Sequence, residues 1–274
     1  MILVSVMLFV VGMAGGYTAW YVLNGYSCGK DIALSSFTDV SDITMIGHRG
    51  MAAMAPENTL PSFKLSCEKG YWGSECDVHT TSDGEFVIMH DDDTARLLSE
   101  DVEIENVTYA QLREMRFKHG NKRKNYDESE LFVPTLDEYL DVLAEYGVVP
   151  VIELKKLDTA LLPEFLEILE KHNVRDSVVV ISFNYEYLEA FHEIAPDVTI
   201  YYLTSKISDE KIAQCQTLGC GLDFDGDRRS NDKYIAECIE KNIPLVAWTI
   251  DSPNRLEKLY AMGVKVFTSN CIHP

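Results

Sequence analysis

The sequence predicts one closed parallel (β/α)8 barrel, a TIM barrel, and three observations carry that expectation. Short apolar, β-branched runs alternate along the chain with amphipathic helical stretches. Eight such runs occur, centred on Ile46, Cys76, Ile152, Val180, Ile200, Leu222, Val246 and Val266, each divided from the next by a helix-length segment. At 274 residues the chain has room for one barrel and does not require a second domain. An open doubly wound sheet is the rival arrangement. It would call for a glycine-rich dinucleotide turn, and none is present.

Taken in order, the chain opens with no charged side chain before Lys30. Its leading stretch is dominated by Val, Leu, Met, Ala and Gly over about the 20 residues an apolar helix needs to cross hydrocarbon. Tyr17, Trp20, Tyr21 and Tyr26 gather at the far end, where an interfacial aromatic belt would sit. A cleavable signal peptide would show a basic leader and a shorter apolar run. A buried N-terminal helix fits poorly, since a barrel has little room for a helix apolar on all sides. Residues 1–26 are therefore expected to form a transmembrane helix, a single-pass membrane anchor. The side of the membrane stays open, because only Lys30, followed by Asp31, marks a flank. Residues 27–41 read as a polar linker and residues 42–274 as the barrel domain.

Within that domain the helical patterns span residues 59–69, 136–146, 159–172, 185–194, 208–218, 232–241 and 254–261. One stretch breaks the alternation. After the strand at Cys76, the turn signal Thr81-Ser82-Asp83-Gly84 leads into Phe86-Val87-Ile88-Met89. That connection is too short for a parallel crossover and predicts an antiparallel hairpin, which returns His90 to the height of Asp77. Residues 91–134 then form an insertion subdomain, with one short helix around residues 109–115 and a basic patch of Lys118, Lys122, Arg123 and Lys124.

The formal net charge of −20 argues against nucleic acid as a partner and against simple electrostatic adhesion to anionic lipid. The 7 cysteines contain no C-x-x-C pair, so a structural zinc site is not expected. They read mostly as buried free thiols. A Cys215–Cys220 disulfide is the alternative and is disfavoured.

The chemistry concentrates in four places: Ile46-Gly47-His48-Arg49-Gly50, Glu75-Cys76-Asp77, His90-Asp91 and Glu153 with Lys155. Each follows an apolar run, so each falls at a strand end. Glu75 and Asp77 stand two apart on a strand and share a face, as do Glu153 and Lys155. On an antiparallel sheet such charges face solvent. Inside a parallel barrel they need partners or a metal. Three carboxylates suit a hard divalent cation, Mg²⁺ or Ca²⁺. His48 and His90 are proton-transfer candidates because imidazole titrates near neutrality. Arg49 offers a planar fork and Lys155 a point charge for phosphate oxygens, although either could balance Glu57 or Glu153 instead. Trp248 ends a strand and either walls a pocket or packs in the core. The set is a kit for metal-assisted cleavage of a phosphate ester. His79, His119, His172, His192 and His273 read as structural.

His48-Arg49-Gly50, Pro56-Glu57-Asn58-Thr59, Glu75-x-Asp77, Thr81-Ser82-Asp83-Gly84, His90-Asp91, Glu153-x-Lys155 and Trp248-Thr249 together resemble the motif series of the glycerophosphodiester phosphodiesterase family, in the family's order. The resemblance implies a barrel that hydrolyses glycerophosphodiesters to sn-glycerol 3-phosphate and an alcohol. It implies Glu75, Asp77 and Glu153 as metal ligands and His48 and His90 as the catalytic pair. It implies Arg49, Lys155, Trp248 and Glu57 as substrate- or phosphate-binding residues.

Two departures bear on the substrate. Met51-Ala52-Ala53-Met54-Ala55 stands where relatives often carry small polar residues, and Thr268-Ser269-Asn270 stands where an aspartate is common. Lysophospholipase D-type activity on lysophospholipids at the membrane is one alternative, with Met51 and Met54 favouring an acyl chain. A non-catalytic glycerophosphodiester-binding membrane protein is the other, and the intact histidine pair argues against it.

Overall fold

A computed structural model describes residues 28–274. Its strands are β1 (Ile32–Ala33), β2 (Thr44–Gly47), β3 (Gly73–Thr80), β4 (Phe86–Ile88), β5 (Val149–Lys156), β6 (Val179–Ser182), β7 (Thr199–Thr204), β8 (Gly221–Asp225), β9 (Leu245–Trp248), β10 (Val266–Ser269) and β11 (Ile272–His273). Its α-helices are α1 (Leu60–Glu68), α2 (Tyr109–Glu114), α3 (Leu136–Tyr146), α4 (Leu162–Lys171), α5 (Tyr185–Ile194), α6 (Asp209–Leu218), α7 (Ile235–Glu240) and α8 (Pro253–Ala261). Eight of the strands pair in parallel in the order β2-β10-β9-β8-β7-β6-β5-β3, and a β2–β3 pairing closes the ring. All eight expected strand centres lie in these strands.

Period-two alternation explains how the barrel is filled. Ile46, Val151, Val179, Ile181, Leu203 and Val246 point inward and pack into a central plug. Residues at the alternate strand positions, Cys76, Ile152, Val180, Leu222 and Phe224, point outward into the larger core shared with the helices. At the barrel floor a side chain on Gly221 would lie 2.2 Å from the Tyr201 ring, so only glycine admits that ring.

Local signals set the helix boundaries. Thr59, Thr135 and Ser208 cap α1, α3 and α6 through their side-chain oxygens, and Gly147 and Gly219 end α3 and α6 in the left-handed region.

Strand β4 runs antiparallel to β3, with Val78 opposite Ile88. The Met89 amide then donates to the Asp77 carbonyl at 3.0 Å, bringing His90 beside the acidic strand end. The segment after it folds over its own small core of Leu97, Leu98, Ile104, Leu112 and Phe117, packed with Val87 and Met89 from the hairpin.

Two expectations need correction. The stretch at residues 27–41 is not simply a linker. Within it β1 pairs in parallel with β11, Leu34 is buried, and Phe37 packs on the core. The cysteines are not all free either. Cys28 and Cys271 form a disulfide across a sequence separation of 243, while Cys67, Cys76, Cys215, Cys220 and Cys238 are free and buried. The β1–β11 contact brings the pair together, and no local spacing in the sequence announces it. The expected membrane anchor at residues 1–26 lies outside the described residues. Among the described residues no helix is long and apolar enough to cross a membrane.

Candidate active site

The site grows from the turn that follows β2. Gly50 has φ +82°, and a Cβ there would lie 2.5 Å from Ser62, so the chain can fold back against the start of α1 only with glycine at this position. Arg49, just before it, is also left-handed at φ 51°. The turn aims the Arg49 backbone amide at Glu75 Oε2, 2.8 Å away.

The β3–β5 register sets Asp77 opposite Glu153, with Glu75 two residues earlier on β3. One oxygen from each of these carboxylates lies within 4.8 Å of the others, and all three residues are buried. Around them stand Lys155 Nζ, 3.1 Å from Glu153 Oε1 and 3.8 Å from Asp77 Oδ1, and Arg49 Nε, 3.4 Å from Asp77 Oδ2. Asn58 Nδ2 donates to Asp77 Oδ2 at 2.7 Å.

Crowding carboxylates in a dry place disfavours their ionisation. Burial first, then the charges of Asp77 and Glu153, push the Glu75 carboxyl well above the usual range. Burial, then Asp77, pushes Glu153 up to about 8. Asp77 goes the other way. Burial opposes its ionisation, but His90, Arg49, Lys155 and the Asn58 hydrogen bond hold its carboxyl well below the ordinary range. An all-oxygen donor set with surplus negative charge fits a hard divalent cation, which would relieve the repulsion that the two cationic side chains leave.

The two histidines are backed differently. His48 Nδ1 lies 2.7 Å from Asn270 Oδ1, and Asn270 Nδ2 donates to Asp251 Oδ2 at 2.8 Å. A carboxylate only accepts, so it orients the amide, and the amide oxygen in turn requires a proton on His48 Nδ1. Burial, followed by the Arg49 charge, lowers His48 to about 3, so the ring is neutral with its lone pair on Nε2. His90 Nδ1 instead faces Asp91 Oδ1 at 2.7 Å. Asp91 is held at about 2 despite burial, by hydrogen bonds from His90 and Arg96.

Arg96, from the insertion, ties this side together. Its Nε reaches Asp91 Oδ2 at 2.5 Å, and its Nη1 and Nη2 form a fork on Glu57 at 2.9 and 2.7 Å. Glu57 also accepts from Arg49 Nη1 at 2.8 Å. Glu57 thus sits one layer behind the cavity, between two guanidinium groups. Replacing Arg96 with methionine should lower stability by about 3 kcal/mol, because two acidic groups lose their common partner. Turnover should fall by about tenfold or more as His90 loses its brace. Thermal melts and steady-state kinetics check both, with Arg96→Lys expected to recover only part.

These side chains surround a cavity of about 150 Å³ at the barrel mouth. His48, Arg49, Glu75, His90 and Glu153 line one side, with Phe183, Asp223 and Trp248 among the residues on the other. The Phe183 and Trp248 rings meet edge-on at 5.6 Å. Lys155 lines an adjoining groove with Ser182, Phe183 and Asn184. Eight of the nine expected residues therefore converge on the cavity or its acidic cluster, and Glu57 supports from behind. Met51 is fully buried in the helix-side core and Met54 packs against that core, so neither methionine faces the cavity.

The sequence reading missed Arg96, Asp251 and Asp223. Nothing local marks Arg96 in a charged insertion. Asp223 did carry a signal, since Leu222-Asp223-Phe224-Asp225 repeats the alternation that singled out Glu75 and Asp77.

Residues 48–272 match the glycerophosphoryl diester phosphodiesterase family. A glycerophosphodiester phosphodiesterase of Caldanaerobacter subterraneus is 24% identical over 225 residues, covering 80% of this chain and 90% of that protein. Another, from Bacillus altitudinis, is 24% identical over 233 residues, covering 82% and 93%. Among solved structures, an Oleispira antarctica phosphodiesterase in complex with the product sn-glycerol-3-phosphate aligns with a TM-score of 0.75 at 27% identity, covering 87% of this chain and 96% of that one.

Proposed function

Because the chain belongs to the glycerophosphoryl diester phosphodiesterase family and is a phosphoric diester hydrolase of glycerophosphodiesters, we propose that it releases sn-glycerol 3-phosphate and an alcohol by a two-histidine mechanism supported by a divalent cation. Glu75, Asp77 and Glu153 would hold the cation, Mg²⁺ or Ca²⁺. When bound, it would neutralise phosphoryl charge. Arg49 and Lys155 bind the remaining phosphoryl oxygens, with Glu57 keeping the Arg49 fork in place. Trp248 walls the cavity.

The difference between the two imidazole environments supports a division of labour. His48, kept neutral and protonated only at Nδ1 by Asn270, has its Nε2 lone pair for accepting a proton from the nucleophile, water or a neighbouring glycerol hydroxyl. His90 has a carboxylate at Nδ1 and is the better placed of the two to carry a positive charge and give its proton to the departing alkoxide. The proton taken by one ring and the proton given by the other balance each cleavage: water gives sn-glycerol 3-phosphate directly, whereas the glycerol hydroxyl gives a cyclic phosphodiester that a water then opens, with the two rings exchanging roles. The single observation that carries this reading is the convergence of three carboxylates and two differently backed imidazoles on one cavity.

The test is release of sn-glycerol 3-phosphate from glycerophosphocholine, with Mg²⁺ or Ca²⁺ and with a chelator. Turnover undiminished by the chelator would remove the cation from the reading.

Residues 1–26 would anchor the enzyme in a membrane. The Cys28–Cys271 disulfide favours an oxidising compartment for the barrel. Thiol labelling of unreduced protein from its native host checks this, and a reactive Cys28 would place the domain on the reducing side.

A further inference from the structure

Asp223 is a buried acid that the mechanism above does not use. It sits at the middle of β8 and is 3% exposed, and its Oδ1 is buried without a hydrogen-bond partner. A buried polar atom left unpaired costs stability, and such atoms tend to persist where a ligand completes them.

Its position says which part of a ligand that would be. In the closed strand order, β8 is equally far from β3 whether counted through β5, β6 and β7 or through β2, β10 and β9. Asp223 therefore lines the cavity on the wall opposite Glu75. The phosphoryl-binding groups, Arg49 and Lys155, cluster with the β3 and β5 acids. The same cavity, of about 150 Å³, lies above the central plug and is lined by both walls. A molecule held by its phosphate on the β3 side thus presents its far end to Asp223. A buried carboxyl is completed by a hydroxyl, with which it can form a hydrogen bond. Trp248 fixes the same wall, its indole Nε1 donating to the Asp223 carbonyl at 3.3 Å.

We propose that Asp223 hydrogen-bonds the terminal hydroxyl of the glycerol moiety, and so selects deacylated glycerophosphodiesters over 1-acyl lysophospholipids, in which that hydroxyl is esterified. This rests on the phosphodiesterase reading, and it goes further in assigning a substrate-selecting residue. A site built to pair a hydroxyl rejects the analogue without it, because its own polar group is then left unpaired.

The test measures binding separately from turnover. Calorimetry with Mg²⁺ or Ca²⁺ compares sn-glycerol 3-phosphate with 2-hydroxypropyl phosphate, which lacks the terminal hydroxyl. The wild type should prefer the former by about tenfold or more. Asp223→Leu should erase that preference by weakening only sn-glycerol 3-phosphate, and the near-isosteric Asp223→Asn, expected to fold normally, should keep much of it. In turnover, glycerophosphocholine should exceed 1-acyl lysophosphatidylcholine by about a hundredfold. Equal affinity of the wild type for the two phosphates, or an undiminished preference in Asp223→Leu, overturns the proposal. So does a wild type that turns over the lysolipid as fast as the diester. A wild type that binds with the expected preference but turns over no phosphodiester would instead overturn the catalytic reading.

Discussion

Replacing His48 with alanine is expected to cut kcat by about 10²–10⁴-fold while leaving the fold and product affinity nearly intact. The reasoning starts from the ring's surroundings. Asn270, itself oriented by Asp251, fixes the proton on Nδ1, so the lone pair is on Nε2. Burial and Arg49 lower the ring to about 3. Its protonation therefore sets no acid limb near pH 6.5, where free histidine would titrate. A pH profile of kcat/KM should show no wild-type limb that disappears in His48→Ala between pH 5 and 8. Asn270→Leu, which removes the tautomer-setting partner without touching the ring, should lower kcat more than it raises KM. A His48→Ala enzyme within a fewfold of wild type would end the assignment of His48 as base.

Cation removal should have the second large effect, and it should depend on pH. In the cation-free protein, burial and neighbouring acids hold Glu153 at about 8 and Glu75 well above the ordinary range. A carboxyl whose folded pKa is raised binds a proton in the native state that the unfolded chain has already lost. Stability is then unpenalised below the unfolded value near 4.5 and declines as pH rises from there through about 8. A bound divalent cation replaces those protons and should restore what is lost. Thermal unfolding in chelator should therefore fall from pH 5 to pH 8, and Mg²⁺ or Ca²⁺ should raise Tm more at pH 8 than at pH 5. Glu153→Gln should flatten the slope in chelator and abolish most turnover. A chelator melt that rises with pH, with neither cation shifting it, would contradict this account of the acidic cluster.

Much of this was legible from local patterns. Period-two alternation with one inward face marked the barrel strands and paired Glu75 with Asp77, because side chains two apart on a strand must share a side. The turn at Asp83-Gly84 announced the hairpin that returns His90 to the acidic strand end. The carboxylate and imidazole chemistry followed from residue type. What stayed hidden depends on partners far away in sequence. Arg96 serves Glu57 from 39 residues away, and Asn270 reaches His48 across 222. The segment Thr268-Ser269-Asn270 was visible as a departure, but the effect of Asn270 on the His48 tautomer was not.

The chain alone thus determined the barrel, the family and which candidate side chains stand at the strand ends, since strand periodicity and side-chain chemistry are written residue by residue. Tertiary structure alone decided how those groups are tuned. Burial, the Cys28–Cys271 link, the separate backing of the two imidazoles and the unpaired acid on the far wall exist only once distant strands close into a ring. Charge and hydrogen-bond energies depend on distance and on exclusion of water, and closure of the barrel sets both.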